Sequence, residues 1–187
     1  GGYAYVDKTD IVWQIVNQGD QYNYLSRPRR FGKSILVDTL QCYLEGRKEL
    51  FEGLKIMQQE KEWIKYPVIR LDMSGAGTTA QQLTSFFEDS FEEYEKKYGI
   101  ITPPKSLSKR FKNIIMTARE QSGQKVAVLV DEYDSPLQHS WQTPQHEECT
   151  EVYRTVFAVL KEADEYEKFV FITGITKFTQ ISLFSVL

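Results

Sequence analysis

Three short groups of residues in this sequence have the types and spacing to act on a phosphate. The first is Gly32-Lys33-Ser34, preceded by Arg29, Arg30 and Phe31 and followed by Ile35. It matches the end of the pattern glycine, any four residues, Gly-Lys-Ser/Thr, whose backbone N–H groups cradle phosphates. Arg27 stands where the first glycine of that pattern belongs, so the motif is degenerate. In such a loop Gly32 lets the backbone approach closely. Lys33 places a flexible charge on the β- and γ-phosphates, and the Ser34 hydroxyl ligates Mg2+. The N–H groups at the start of the following helix, with its dipole, add to the pull on an anion. Arg29, Arg30, Phe31, Gly32, Lys33, Ser34 and Ile35 are therefore the residues expected to hold a nucleotide. Gly-Lys-Ser alone is weak, and its plain reading is a basic turn before an ordinary helix.

The second group is Asp131-Glu132, which closes the apolar run Val126-Ala127-Val128-Leu129-Val130. Asp131 at that strand end would hold Mg2+ together with Ser34, and Glu132 would polarise the attacking water as general base. Mg2+ needs only one or two carboxylates beside phosphate oxygens and waters, so this economy fits. The third group, Thr173-Gly174-Ile175-Thr176, ends another apolar run, and its Thr173 hydroxyl is expected at the γ-phosphate or the attacking water. Strands often exit on polar residues, so neither group is decisive by itself. Their order, a basic loop, then a carboxylate, then a hydroxyl, each at the end of a strand, is what carries weight.

The elements that must position these groups follow from periodicity. Ile11, Val12, Ile15 and Val16 give a helical stripe that Asp7 or Thr9 can cap and Gly19 can end. Tyr22 to Ser26 reads as a short strand, and Ser34 to Leu44 as a helix that stops at Glu45-Gly46. Arg47 to Lys65 reads as a short helix and connector. Pro67 to Asp72 is a strand. Leu83, Phe87, Phe91, Tyr94 and Tyr98 form a core-facing helical stripe, as do Leu107, Phe111, Ile114, Ile115 and Ala118. Val126 to Val130 and Phe169 to Gly174 read as strands buried on both faces. Ser135 to Cys149 is expected to be a polar surface loop, and Val152 to Leu160 a helix. Strands alternate with helices throughout, which predicts an α/β fold with a mostly parallel central sheet. Ligands of such a sheet bind at the carboxyl ends of its strands, where all three groups lie.

Bulk properties narrow the classes. The 187 residues suffice for one domain, 41% are hydrophobic and 26% charged, which is a globular composition. A net charge of −3 argues against a broad nucleic-acid surface. Cys42 and Cys149 give no disulfide framework, and with His139 and His146 they give no zinc spacing. No apolar run reaches membrane-spanning length, and a cytoplasmic protein without a membrane partner is expected. The first residue is not Met, and Ile181 to Leu187 reads as the middle of a structure, so a piece of a longer protein is expected.

With these residues in hand the sequence resembles the bacterial AAA-ATPase-like family. The resemblance rests on Tyr5-Val6-Asp7-Lys8-Thr9, Leu25-Ser26-Arg27-Pro28-Arg29-Arg30-Phe31-Gly32-Lys33-Ser34, Val130-Asp131-Glu132-Tyr133-Asp134 and Phe171-Ile172-Thr173-Gly174-Ile175-Thr176-Lys177-Phe178. In that family the arginine in place of the first glycine is the norm. The resemblance implies a P-loop NTPase three-layer α/β/α sandwich, AAA/ASCE-like, occupying residues 1–187 as a single domain. It implies ATP and Mg2+ as ligands, with a Walker A-like loop at Ser26–Ser34 and a Walker B pair at Asp131-Glu132. Longer members carry a PD-(D/E)XK nuclease-like domain C-terminal to this part, so nucleic acid would be reached only through that domain. Self-association of the full-length protein is a further implication, with Arg154 as a residue able to serve a neighbouring subunit or simply to face solvent.

Two other functions compete with ATP hydrolysis. A non-hydrolysing nucleotide switch or interaction module would use the same pocket. A nuclease built from Asp72, Glu132 and Lys177 has the basic loop as its only direct support and ignores the strand context.

Overall fold

The computed structural model describes residues 7–26 and 33–175, with the backbone alone for Lys33 and Ser34. Four strands form one sheet: β1 (Tyr22–Ser26), β2 (Val68–Asp72), β3 (Val126–Asp131) and β4 (Glu167–Gly174). Their order is β1-β4-β3-β2, and every pairing is parallel. The expected mostly parallel sheet is thus all parallel among the described residues.

The helices divide between two faces. On one face lie α1 (Thr9–Gln18), α2 (Lys33–Leu44) and the short α3 (Ile56–Gln59). Val12, Val16, Val37, Leu40, Leu44 and Ile56 bury there against Val68, Ala127, Leu129, Phe169 and Phe171. On the other face lie α4 (Ala80–Lys97), α5 (Leu107–Ser122) and α7 (His146–Glu162). Leu83, Phe87, Phe91, Phe111, Ile114, Tyr153, Val156 and Leu160 pack there on Ile69, Leu71, Val128, Val130, Val170 and Ile172. Successive strand residues point to opposite faces, so one strand feeds both cores. That is why β3 and β4 lack any polar alternation.

Local chemistry sets the boundaries. Thr79 and Ser106 cap α4 and α5 through their side-chain oxygens, and Gly123 ends α5 in the left-handed region at φ 71°. Asp7 accepts from the Thr9 N–H at 2.9 Å and the Thr9 hydroxyl at 2.7 Å, and also from the Lys55 N–H at 2.7 Å. Thr9 in turn accepts from the Ile56 N–H at 3.1 Å. The pair therefore ties the start of α1 to the start of α3, and the Thr9 hydroxyl holds the Asp7 carboxyl below its usual value.

One expected loop is not a loop. Ser135 to Ser140 forms a further helix, α6, and α7 already begins at His146. Pro136 sits in the first turn of α6, where its missing N–H has no intrahelical role, and Ser135, Pro136, Leu137 and Ser140 are buried. Ser140 is satisfied locally in that burial: its Oγ meets Leu137 O at 3.3 Å and His146 Nδ1 at 3.0 Å.

Candidate functional site

The chain leaves β1 through α2 on one face, and it returns to β3 and β4 through helices on the other. β4 is inserted between β1 and β3. The order therefore reverses at β1 and β4, and a crevice outside the carboxyl ends of such strands is where ligands of open parallel sheets bind. Ser26, the last residue of β1, is paired with Gly174, and Leu25 with Thr173. Residues 27–32 and 176–187 lie outside the described residues, and so therefore do Arg29, Arg30, Phe31 and Gly32. Lys33 and Ser34 open α2. Ile35, in the first turn, is 70% exposed, an apolar side chain offered to solvent beside the strand ends.

Strand parity places the acidic group on the α2 side. Leu129 and Phe171 face the core beneath α2, so Asp131 and Thr173, two residues on, share that face. Asp131 is 4% exposed. Its Oδ1 accepts from the Thr173 hydroxyl at 2.6 Å. The same hydroxyl oxygen accepts from the Glu132 N–H at 3.2 Å. The Thr173 proton is thus committed to Asp131, and Thr173 positions the acidic pair. Glu132 follows with φ 50°, a left-handed backbone rare outside glycine. Such outliers are held by their surroundings and concentrate at functional sites. Here the Thr173 hydroxyl and carbonyl hold it, the carbonyl accepting from the Tyr133 N–H at 2.9 Å. The turn lifts Glu132 off the strand axis at the end of β3.

A third acidic residue, Asp134, is fully buried on the opposite side of β4. Its Oδ2 accepts from the Ile175 N–H at 2.8 Å and so fixes the chain as it leaves β4. The Tyr24 hydroxyl lies beside it, and burial together with the Asp134 charge pushes the Tyr24 phenol up to about 12. Gly174 sits between them. A Cβ there would meet Tyr24 Oη at 2.6 Å and Asp134 Oδ1 at 3.1 Å, so the site requires glycine for space. Sequence reasoning gave Asp134 no role, because nothing in Asp-Glu-Tyr-Asp says which carboxylate turns inward.

Two further residues differ from the broad expectation. Asp72, at the end of β2, accepts from the Ser74 N–H at 3.0 Å and caps the short turn that follows, so its carboxylate serves the backbone. Arg70, read only as part of a strand, reaches toward the site. Its guanidinium bonds Asp38 Oδ1 at 2.5 Å and Gln41 Oε1 at 3.0 Å on α2, and Nη2 lies 3.7 Å from Asp131 Oδ2. Arg154 is exposed on α7.

Among the described residues no group of three or more His, Cys, Asp or Glu side chains could hold a metal by itself. Mg2+ takes few protein ligands and shares phosphate oxygens. Asp131, with Oδ1 fixed by a donor and Oδ2 making no hydrogen bond at 3.7 Å, has the chemistry of such a ligand. No helix among the described residues is long and apolar enough to cross a membrane.

A protein of Azotobacter chroococcum mcd 1, given as "Uncharacterized protein in vnfD 5'region", is 36% identical over 185 residues, which is 98% of this chain and 36% of that relative. The chain thus spans about a third of the length of the curated relative it matches. No solved structure matches. The AAA-ATPase-like family, described as "Predicted AAA-ATPase", matches residues 1–184, and the chain belongs to that family.

Proposed function

We propose that this chain binds ATP with Mg2+ across the carboxyl ends of β1, β4 and β3 and hydrolyses it. The observation that supports this most is the placement of Asp131. It ends a fully buried central strand, is fixed at one oxygen by Thr173, and lies on the face of the helix that begins with Lys33 and Ser34. In this reading Ser26–Ser34 is a Walker A-like loop, and Asp131-Glu132 is the Walker B pair. Arg29, Arg30, Phe31, Gly32 and Lys33 surround the phosphates, and Ile35 offers an apolar contact. Ser34 and Asp131 hold Mg2+, which when bound neutralises charge developing on the phosphates. Glu132 takes the proton of the attacking water. Thr173 orients Asp131 and Glu132 without touching the substrate. The cytoplasm, where ATP is available, is the compartment this reading assigns.

Calorimetric titration with ATP in MgCl2, paired with a phosphate-release assay, tests it. Lys33→Ala loses ATP binding, whereas Glu132→Gln keeps binding and loses turnover. Unchanged affinity in Lys33→Ala sinks the assignment of the loop.

A second reading, a nucleotide switch that binds without turnover, is favoured by the length of the relative, which leaves most of that protein outside the match. In this reading the module would control a partner or a nuclease-like domain. Phosphate release over many turnovers by this chain excludes it.

A further inference from the structure

Arg70 carries more than its strand requires. It stands in the middle of β2, at the edge of the sheet. Its N–H donates to the Tyr94 hydroxyl at 2.7 Å, and that hydroxyl lies 3.2 Å from the Arg70 carbonyl. One tyrosine therefore satisfies both backbone groups and fixes where the side chain begins. That side chain points to the α2 face, where Val68 also packs. There it meets two carboxylates of different character. Asp38, on α2 four residues beyond Ser34, is largely exposed and forms the short charge-assisted bond. Asp131 is buried and meets the guanidinium only at 3.7 Å, a Coulomb contact without a hydrogen bond. Thr173 has Asp131 Oδ1, so the arginine faces Oδ2, the oxygen left for a metal.

We propose that Arg70 is an internal counter-ion that neutralises Asp131 in the metal-free site and sets the Mg2+ concentration at which the nucleotide site loads. The inference rests on the ATP–Mg2+ reading of the site. A buried carboxylate needs a compensating charge. Arg70 supplies it before a metal arrives, and Asp38 holds the arginine off a direct bond to Oδ2. A cation arriving at Asp131 meets the guanidinium charge on the same oxygen. Even at the high effective dielectric near a protein surface, one charge a few ångströms from that oxygen shifts divalent binding by about tenfold or more. The guanidinium also links the helix that starts at the phosphate loop to the strand that ends in the acidic pair, so the two halves of the site share one contact.

The experiment is calorimetric titration of ATP into this chain, first in EDTA and then across a series of MgCl2 concentrations. The quantity read is the Mg2+ half-point at which ATP affinity rises. Arg70→Met lowers that half-point about tenfold, because the competing charge is gone. Asp38→Asn raises it, because the arginine is released to Asp131 alone and a nearby negative charge is removed. A purely structural role for Arg70 would move both variants the same way, toward weaker binding. An unchanged or raised half-point in Arg70→Met overturns the proposal, as does a lowered one in Asp38→Asn. Where circular dichroism shows that Arg70→Met does not fold, Arg70→Gln, which removes the charge but keeps an amide donor toward Asp38 and Gln41, is read in its place, and a half-point that does not fall overturns the proposal. Wild-type chain that binds ATP neither in EDTA nor in MgCl2 refutes the nucleotide reading and this inference with it. ATP binding with immobile half-points refutes Arg70 alone.

Discussion

Glu167 offers a stability test whose size and sign both follow from its surroundings. It opens β4, is 2% exposed, and its Oε1 is buried without a hydrogen-bond partner. Its Oε2 lies 3.2 Å from the Tyr22 hydroxyl oxygen, which is also 2.9 Å from the Leu160 carbonyl. The phenol has one proton. Leu160 and Glu167 therefore compete for it, and an ionised carboxylate receives at most part of one donor. Burial, reinforced by the Asp164 charge and opposed by the bond to Tyr22, raises the Glu167 carboxyl from 4.5 to about 8. The native state therefore holds a proton that the unfolded chain releases above pH 4.5. Its contribution to stability is complete below pH 4.5, falls by about 1.4 kcal/mol per pH unit above it, and is lost once pH passes 8, a total of about 5 kcal/mol. Glu167→Gln keeps the size and a donor but cannot ionise. Urea unfolding of both proteins from pH 4 to pH 9 gives the difference directly, with the other carboxylates cancelling. The variant gains on the wild type steadily between pH 4.5 and pH 8, and the difference is flat outside that window. A difference that does not change with pH means that Glu167 is ionised in the folded protein, and the argument fails.

Three other substitutions test the frame of the site. Thr173→Val keeps the shape but removes the donor to Asp131 and the acceptor of the Glu132 N–H, at a cost of about 3 kcal/mol. A thermal melt should fall by roughly 6–12 °C, with Thr173→Ser restoring most of it. Gly174→Ala drives a methyl against Tyr24 Oη and costs about 1–3 kcal/mol in denaturant unfolding. Tyr24→Phe in the same chain recovers part of that loss, and strict additivity of the two changes would show that the clash is not the cause. Phe87 stacks on Phe91 and meets Tyr153 and Phe157 edge-on, so Phe87→Ala leaves a cavity worth about 3–5 kcal/mol in the same assay.

Much of this frame was legible in the sequence. Tyr22–Ser26 is the strand expected, and Leu83, Phe87 and Phe91 are core as their spacing implies. The reason, for the helix, is that an amphipathic helix shows its period. Val126 to Val130 does not, since both of its faces are buried. The sequence could therefore place Asp131 at a strand end but not on a face, and the face is what joins it to α2 and Arg70. Arg70 was illegible for the same reason: its partners Asp38, Gln41 and Asp131 are distant in sequence and meet only once the strand order is known. Ser135 to Ser140 misled because a serine that bonds within its helix, as Ser140 does, looks polar on paper. The roles of Asp7 and Thr9 were half legible. A cap by one of them was expected, but the cap position falls on Lys8 without a side-chain bond, Thr9 lies inside the helix, and Asp7 takes only the Thr9 N–H from one residue outside; their hold on Lys55 and Ile56 depends on a contact between helices.

The strand order has a consequence for how the site opens. Among the described residues β3 and β4 are the inner strands, buried along almost their whole length, whereas β1 is an outer strand, half-buried throughout and paired there with β4 alone. Backbone amides of inner strands exchange with solvent only when the whole domain unfolds, while an outer strand can part from its neighbour by breaking one ladder. The carboxylate half of the crevice is built on the first kind of strand and the basic loop hangs from the second. Hydrogen exchange should accordingly show Tyr22–Ser26 opening ahead of Val126–Asp131. The hinge of the crevice would then be the β1–β4 ladder, whose last rungs are Leu25 with Thr173 and Ser26 with Gly174.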